Sequence, residues 1–385
     1  MRKLGPVATV AMTLLLAASP SVASSTPRTL TTAAQAQDVG AVYFLNPRVG
    51  WASVDSSARL LMTTDGGGHW LDVSPPMLRR KGFALASGLA GADFLSSSDF
   101  FVSVFNSGPD ELQPVFLLHT TDAGRKWNEV GYFPNGVGEA RVSFLNKRQG
   151  WVAVGNGEAM QQEPVTIYET TTGGGRWSVI SRSNPLVGGP GIPGGTPGGP
   201  SVGGYKTGLT VSRSEPSAVL WLTGQSAGAP FLARSTGGRH WTNLVLPTPL
   251  PPEGGGASAP VFSSASSGAL SVWYGGPNAT TVTAVYSTAN GGTTWVEHQL
   301  PSGKPVLADV VSSTTWFAAL GKTIYHTTNG GASWSRIAAS VNFGSYSGRG
   351  TLDFVNTEDG WTLLGDQVWH TTDGGLLWAS EDLPT

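Results

Sequence analysis

The apolar positions of this chain fall in short runs of four or five residues. Near the C-terminal end the runs are 352–355, 361–364, 367–371 and 377–380. Each is rich in aromatic and β-branched residues or alternates in polarity, and each is bounded by Gly, Asn or Asp, the pattern of strands joined by tight turns. No stretch carries apolar residues at a 3.6-residue spacing over a useful length, so strands are predicted throughout. Four such runs make one unit, and the unit recurs.

Its marker is an eight-residue segment ending in tryptophan. It reads TTDGGGHW at 63–70, TTDAGRKW at 120–127, TTTGGGRW at 170–177, RSTGGRHW at 234–241, TANGGTTW at 288–295, TTNGGASW at 327–334 and TTDGGLLW at 371–378. Successive tryptophans are 57, 50, 64, 54, 39 and 44 residues apart, a period that signals an array of one supersecondary unit. A second pattern lies upstream: Phe44-Leu45-Asn46 with Gly50-Trp51, Phe144-Leu145-Asn146 with Gly150-Trp151, and Phe354-Val355-Asn356 with Gly360-Trp361. The unit is therefore a four-stranded antiparallel meander. One such sheet cannot bury both faces, whereas sheets packed around an axis cover one another. The expectation is an all-β fold: a single seven-bladed β-propeller of four-stranded antiparallel blades over residues 40–385, with about 49 residues per blade.

Within the marker, a Thr hydroxyl and the side chain two residues on can bond the turn backbone. Gly67 and its six counterparts meet a need for positive φ. The third position is Asp65, Asp122, Thr172, Thr236, Asn290, Asn329 or Asp373, and the eighth is Trp70, Trp127, Trp177, Trp241, Trp295, Trp334 or Trp378. A catalytic or metal-binding carboxylate would not be exchanged for Asn or Thr, so these residues are read as structural, with the tryptophans as outer apolar anchors. The segment resembles the Asp-box repeat of bacterial neuraminidases, and the composite unit resembles the photosystem II stability/assembly factor family, which are exported seven-bladed propellers. That resemblance implies a non-catalytic role in binding a protein partner.

Composition narrows the classes. Only 12% of residues are charged and the net charge is −2, which excludes the concentrated basic footprint of a nucleic-acid binder. There are 53 glycines and 26 prolines, fitting a turn-dense β protein. With no cysteine, the fold rests on packing alone. Arg2 and Lys3, the apolar run 7–18 and small residues before Ala23 read as a signal peptide over 1–23, followed by a flexible lead-in over 24–39. An exported chain without a transmembrane span in its mature part is expected.

Enzyme chemistry is the runner-up, because Asp-box proteins include sialidases and other glycoside hydrolases. A glycosidase needs two carboxylates about 5–10 Å apart; the acidic residues here are scattered, and Asn46-Pro47-Arg48 stands where a sialidase-type Arg-Ile-Pro segment would be sought. No phosphate loop, Gly-x-Ser-x-Gly elbow or cysteine nucleophile is present. His119, His326 and His370 share one repeat position and His69 and His240 another, which favours packing over metal ligation. Neither a metal nor a cofactor is expected. For a glycan-binding alternative, Trp273, Trp316 and Trp369 fit neither repeated position and are the tryptophans to inspect for stacking on sugar.

Strand alternation places the marker turns on one face and the irregular connections, 74–89, 106–114, 155–164, 181–206, 246–260 and 338–350, on the other. Irregular loops on a rigid scaffold are where binding concentrates. There, Arg79, Arg80 and Lys81, with Arg141 nearby and Asp110, Glu111 and Glu158 of opposite sign, are the candidate partner-binding residues. The Gly/Pro-rich stretch 184–204 reads as a flap or spacer. Asp93, Asp309 and Asp353 precede the first-strand anchor in three units and are candidates for a carboxylate ring lining a central channel.

Overall fold

A computed structural model describes residues 39–384 except 56–57, 108–111, 158–162, 184–194, 202–203, 213–217, 227–229, 248–254, 275–281, 302–306, 345–350 and 366. The leader and all but the last residue of the lead-in lie outside the described residues, as do Asp110, Glu111, Glu158 and most of the 184–204 stretch.

Consecutive strands pair antiparallel. The first sheet orders β1 (Val39–Phe44), β2 (Gly50–Val54), β3 (Arg59–Thr63) and β4 (Leu71–Asp72). In the second, β5 (Phe83–Leu85) and β6 (Ala92–Phe94) both pair β7 (Phe100–Asn106), followed by β8 (Val115–Thr120) and β9 (Asn128–Phe133). A 3-10 turn, Gly88–Gly91, splits what would be one first strand. The third holds β10 (Ala140–Phe144), β11 (Gly150–Gly155), β12 (Val165–Thr170) and β13 (Ser178–Arg182).

A nine-stranded sheet follows. It joins the meander β14 (Tyr205–Ser212), β15 (Val219–Ser226), β16 (Phe231–Thr236) and β17 (Trp241–Leu244) to a second set of strands. That set is β18 (Gly255–Ala257), β19 (Val261–Phe262), β20 (Gly268–Tyr274), β21 (Val282–Thr288) and β22 (Val296–Gln299). The joint is β18, which pairs both β15 and β20. The last two sheets are β23 (Leu307–Val310), β24 (Trp316–Leu320), β25 (Thr323–Thr327) and β26 (Ser335–Ala338), then β27 (Leu352–Phe354), β28 (Gly360–Leu364), β29 (Gln367–Thr371) and β30 (Ala379–Glu381). The strands of this last sheet fall where the apolar runs predict them, within two residues at each end.

Sheets pack through one recurring stack. The aromatic on the second strand of a sheet lies flat on the first-strand anchor of the next: Trp51 on Phe94 at 4.0 Å, Phe101 on Phe144 at 3.7 Å, and Phe317 on Phe354 at 3.7 Å between ring centroids. The last sheet returns to the first in the same way, Trp361 on Phe44 at 3.5 Å and 5°. A histidine precedes three of the markers and adds a third layer, His119 on Phe101, His326 on Phe317 and His370 on Trp361, so these three pack strands. Stacked rings of this kind add attraction beyond the area they bury.

The marker turns use the chemistry read from sequence. In the first, the Thr63 hydroxyl donates to Asp65 Oδ1 (2.9 Å) and its oxygen accepts from the Gly67 amide (2.9 Å), while Asp65 Oδ1 also accepts from the His69 amide (2.9 Å). Thr172 Oγ1, Asn290 Oδ1 and Asn329 Oδ1 accept from the equivalent amide at 2.9 Å, which is why Asp, Asn and Thr interchange there. Gly67 and its six counterparts all have positive φ, and so do Gly66 and its counterparts, including Ala123 at φ 60°. The sequence reading missed that second left-handed position. Four marker tryptophans are buried, and Trp127 and Trp177 each donate from Nε1 to a carbonyl of the preceding sheet, Val73 and Val130.

Trp316 is fully buried, Trp273 and Trp369 are half-buried, and no tryptophan of the chain is exposed. Trp316 is explained by its partner. It faces Val310 where four other repeats pair Phe with Gly: Phe44 with Gly50, Phe144 with Gly150, Phe262 with Gly268 and Phe354 with Gly360. A Cβ at Gly150 would lie 2.3 Å from the Phe144 ring. Where Phe becomes Val, the vacated volume is filled from the opposite strand.

Candidate functional site

A cavity of about 510 Å3 opens where the first three sheets meet, a size ordinary for ligand sites. Its walls come from the start of β1, the β2–β3 turn, the link between the first and second sheets, the β7–β8 connection and the link to the third sheet. Leu85, Leu89, Phe105 and Val137 supply apolar wall, and Ser53, Asp55, Ser87, Gln113 and Glu139 supply polar atoms. Ala58 and Ser87 line it and are, with Ala123, the non-glycine residues of positive φ among the described residues. Such backbone is costly and collects at functional sites. Glycine is needed at 138, where φ is 79° and a Cβ would sit 2.6 Å from Gln113 Oε1.

Behind the cavity lies a buried charged network that no sequence motif announced. Arg141 donates from Nη1 to Glu139 Oε2 at 2.9 Å and to Ser87 Oγ, and from Nη2 to the Lys206 carbonyl. The Ser87 hydroxyl also donates to Glu139. The Lys206 amide donates to Glu163 Oε2 at 2.7 Å and its Nζ to the Gly204 carbonyl at 2.8 Å. Nζ also lies 4.7 Å from the centre of the Phe231 ring. Burial pushes the Glu163 carboxyl up and the Lys206 amine down to about 8. Paired buried charges of this sort are costly to break and fix geometry; here they fix Glu139 at the cavity wall.

The sequence-predicted site residues separate. Arg79, Arg80 and Lys81 are exposed on the link that leads into β5. Arg141 does not join them: only 9% exposed, it braces Glu139 from within, because β10 is buried along its whole length. Asp93, Asp309 and Asp353 reach sideways. Their Oδ2 atoms accept from the amides of Phe144 (2.5 Å), Phe354 (2.6 Å) and Phe44 (2.6 Å), the anchors of the following sheets. Ser143 does the same for the Val211 amide at 3.0 Å. These three carboxylates are clips between neighbouring sheets. Burial raises Asp309 to about 7, and burial with the Asp309 charge raises Asp353 well above the usual range. Among the described residues no group of three or more His, Cys, Asp or Glu could hold a metal ion, and no helix is long and apolar enough to cross a membrane.

No protein-family model and no curated protein matches the chain. Solved structures do. YCF48 bound to D1 peptide aligns over 88% of this chain and 92% of its own, at 16% identity and TM-score 0.52. YCF48 from Cyanidioschyzon merolae aligns over 88% and 96%, at 19% identity and TM-score 0.50. Oligogalacturonate lyase from Vibrio parahaemolyticus aligns over 89% and 90%, at 10% identity and TM-score 0.52. The fold is a β-propeller. Because binders and a lyase share this fold, it decides no activity, and function has to be argued from the site.

Proposed function

We propose that this chain is an exported, non-catalytic seven-bladed propeller that binds a protein partner through its loop-rich face, in an assembly-factor or adaptor-like role. Seven is the count obtained by resolving the nine-stranded sheet into two meanders bridged by β18. The observation that carries the reading is the cavity, walled by irregular connections and strand ends and by none of the marker turns. Its backbone is strained and its polar wall is braced from behind, as in a site built to receive something. The likeness to YCF48 bound to D1 peptide supports a polypeptide partner; a photosystem is no part of the proposal.

Affinity capture from the native cell envelope tests it, with the full chain as bait beside an Arg79/Arg80/Lys81-to-Ala triple variant and an Asp55→Asn variant. One protein enriched by wild type and depleted by either variant supports the reading. Retention of carbohydrate with no enriched protein sinks it.

A second reading has one observation in its favour: two carboxylates, Asp55 and Glu139, line the same cavity. A glycoside hydrolase or glycan-binding protein would use such a pair. Hydrolysis of a glycan panel by wild type, abolished in Glu139→Gln, would establish it.

A further inference from the structure

The fourth strand of the second sheet is the longest of its kind: β9 spans six residues where the other fourth strands span two to five. Alternation turns Phe133 toward the third sheet with Val115 and Leu117, and turns Phe116 and Tyr132 the opposite way, toward the first. There the outer strand β4 holds only two residues and leaves them uncovered. The rings form a row across the sheet, with Phe83 at 5.9 Å from Phe116 and Phe116 at 5.1 Å from Tyr132. Tyr132, at the outer end of the row, is 54% exposed. Successive rings are tilted by 52° and 41°, so they offer clefts for side chains and not the flat platform on which a sugar ring stacks.

The third sheet shows what such an edge takes. Tyr132 pairs Phe116, and Arg182 pairs Thr166, each at the second rung past a bulge. The Arg182 amide donates to Thr196 Oγ1 at 2.9 Å, and the Thr196 amide donates to the Arg182 carbonyl at 3.2 Å. Both backbone groups of Arg182 therefore face away from the sheet and are met by the chain's own link to the fourth meander. The same register turns the Tyr132 amide and carbonyl outward. The link after β9 runs inward instead, to Gln113 and Gly155, and no residue among those described bonds the outward groups of Tyr132. Toward the marker turns the Val130 carbonyl is taken by Trp177 Nε1 at 2.6 Å, so the open edge begins at Tyr132. An open edge beside an exposed aromatic row is a template for another strand.

Resting on the partner-binding reading above, we propose that the partner docks as an extended polypeptide segment on the outer edge of β9. One residue of the segment exchanges both backbone hydrogen bonds with Tyr132. Its aromatic or large aliphatic side chain then lies on the same face and continues the row of Phe83, Phe116 and Tyr132, as directly opposed residues on paired strands do. Arg79, Arg80 and Lys81 stand exposed on the link into β5, where the row begins. Asp72 and Glu129 lie two rungs nearer the marker turns, and Asp55 lies inward at the cavity. Three adjacent cations favour acidic residues at the loop-face end of the segment.

The test uses the full chain and a fluorescein-labelled Asp-Glu-Thr-Val-Phe-Val-Thr-Gly-amide peptide, followed by anisotropy. N-methylation of its Phe removes an amide that points at β9 and should abolish binding. N-methylation of the Val that follows, whose amide points away, should change affinity by less than about threefold. Phe replaced by Ser in the peptide, or Tyr132→Ser in the chain, should each weaken binding about tenfold, the worth of an aromatic contact and the area it covers. The Arg79/Arg80/Lys81-to-Ala variant should lose most of the salt dependence. Tyr132 is exposed, so its variant folds and stays informative. Equal loss on methylating either residue, no binding of any peptide, or full affinity in Tyr132→Ser overturns the inference. Concentration-dependent dimerisation that Tyr132→Ser abolishes would assign the edge to a second copy of the chain and overturn the partner segment. A natural partner captured equally well by wild type and Tyr132→Ser would overturn this docking mode and leave the binding role standing.

Discussion

Phe44, at the end of the first strand, lies flat on Trp361 of the last sheet, and its amide is held by the Asp353 carboxylate at 2.6 Å. The two ends of the repeat series are thus joined by the same stack and the same clip that join interior neighbours. Pro384 O accepts from Arg59 Nη2 at 2.8 Å on the same seam. Trp361→Ala should therefore cost as much as an interior stack, about 3–5 kcal/mol, in denaturant unfolding. A cost under 1 kcal/mol would mean that the seam is held elsewhere.

Ala123 occupies a left-handed conformation that glycine fills in the other six turns. Ala123→Gly should stabilise the chain by about 0.5–1 kcal/mol. Gly124→Ala should do the reverse, since its Cβ would meet Val73 at 2.7 Å. Thermal midpoints of the two variants would separate in opposite directions.

Asp309 and Asp353 predict an unusual pH dependence. Raised carboxyl groups mean that the folded chain keeps protons that the unfolded chain releases, so their contribution is complete below about pH 4 and is lost as pH rises toward 7. Asp309→Asn keeps an acceptor for the Phe354 amide and removes the charge. It should stabilise the protein at pH 8 by on the order of 2 kcal/mol and change little at pH 4; both residues keep some surface open to solvent, which tempers the figure. Unfolding midpoints of wild type and variant that stay parallel across this range would refute the assignment.

The Phe–Gly pairs predict a coupled response. Gly150→Ala places a Cβ 2.3 Å from the Phe144 ring and should cost about 1–3 kcal/mol by overpacking. Phe144→Val is destabilising alone, yet it should reduce the cost of Gly150→Ala, as Val310 permits Trp316. A double-mutant cycle measures that coupling, and strict additivity would count against it.

What could be read in the sequence is what repeats. Thr63, Asp65, Gly67 and Trp70 recur in kind, so their turn chemistry was visible from spacing, and the strands followed. The clips were half visible: the recurrence of Asp93, Asp309 and Asp353 marked a role, but only the packing angle between sheets shows that their oxygens point at Phe144, Phe354 and Phe44. The cavity left no trace because Ser87 and Glu139 lie on the irregular links between sheets, outside the repeated segments. Arg141 was noticed for its charge and Lys206 was not; the signal in both is a charged residue inside an otherwise largely buried strand segment.

Strand β18 gives the chain a boundary of a different kind. By pairing Gly256 with both Gln225 and Trp273, it hydrogen-bonds two neighbouring repeats into one continuous sheet, where other junctions are crossed by ring stacks, clips and isolated backbone bonds such as that from the Ser340 amide to the Leu376 carbonyl. Those two repeats form one cooperative unit, opening together in hydrogen exchange while the rest open singly. Insertion or loss of a single repeat is therefore tolerated at the other junctions before it is tolerated at this one.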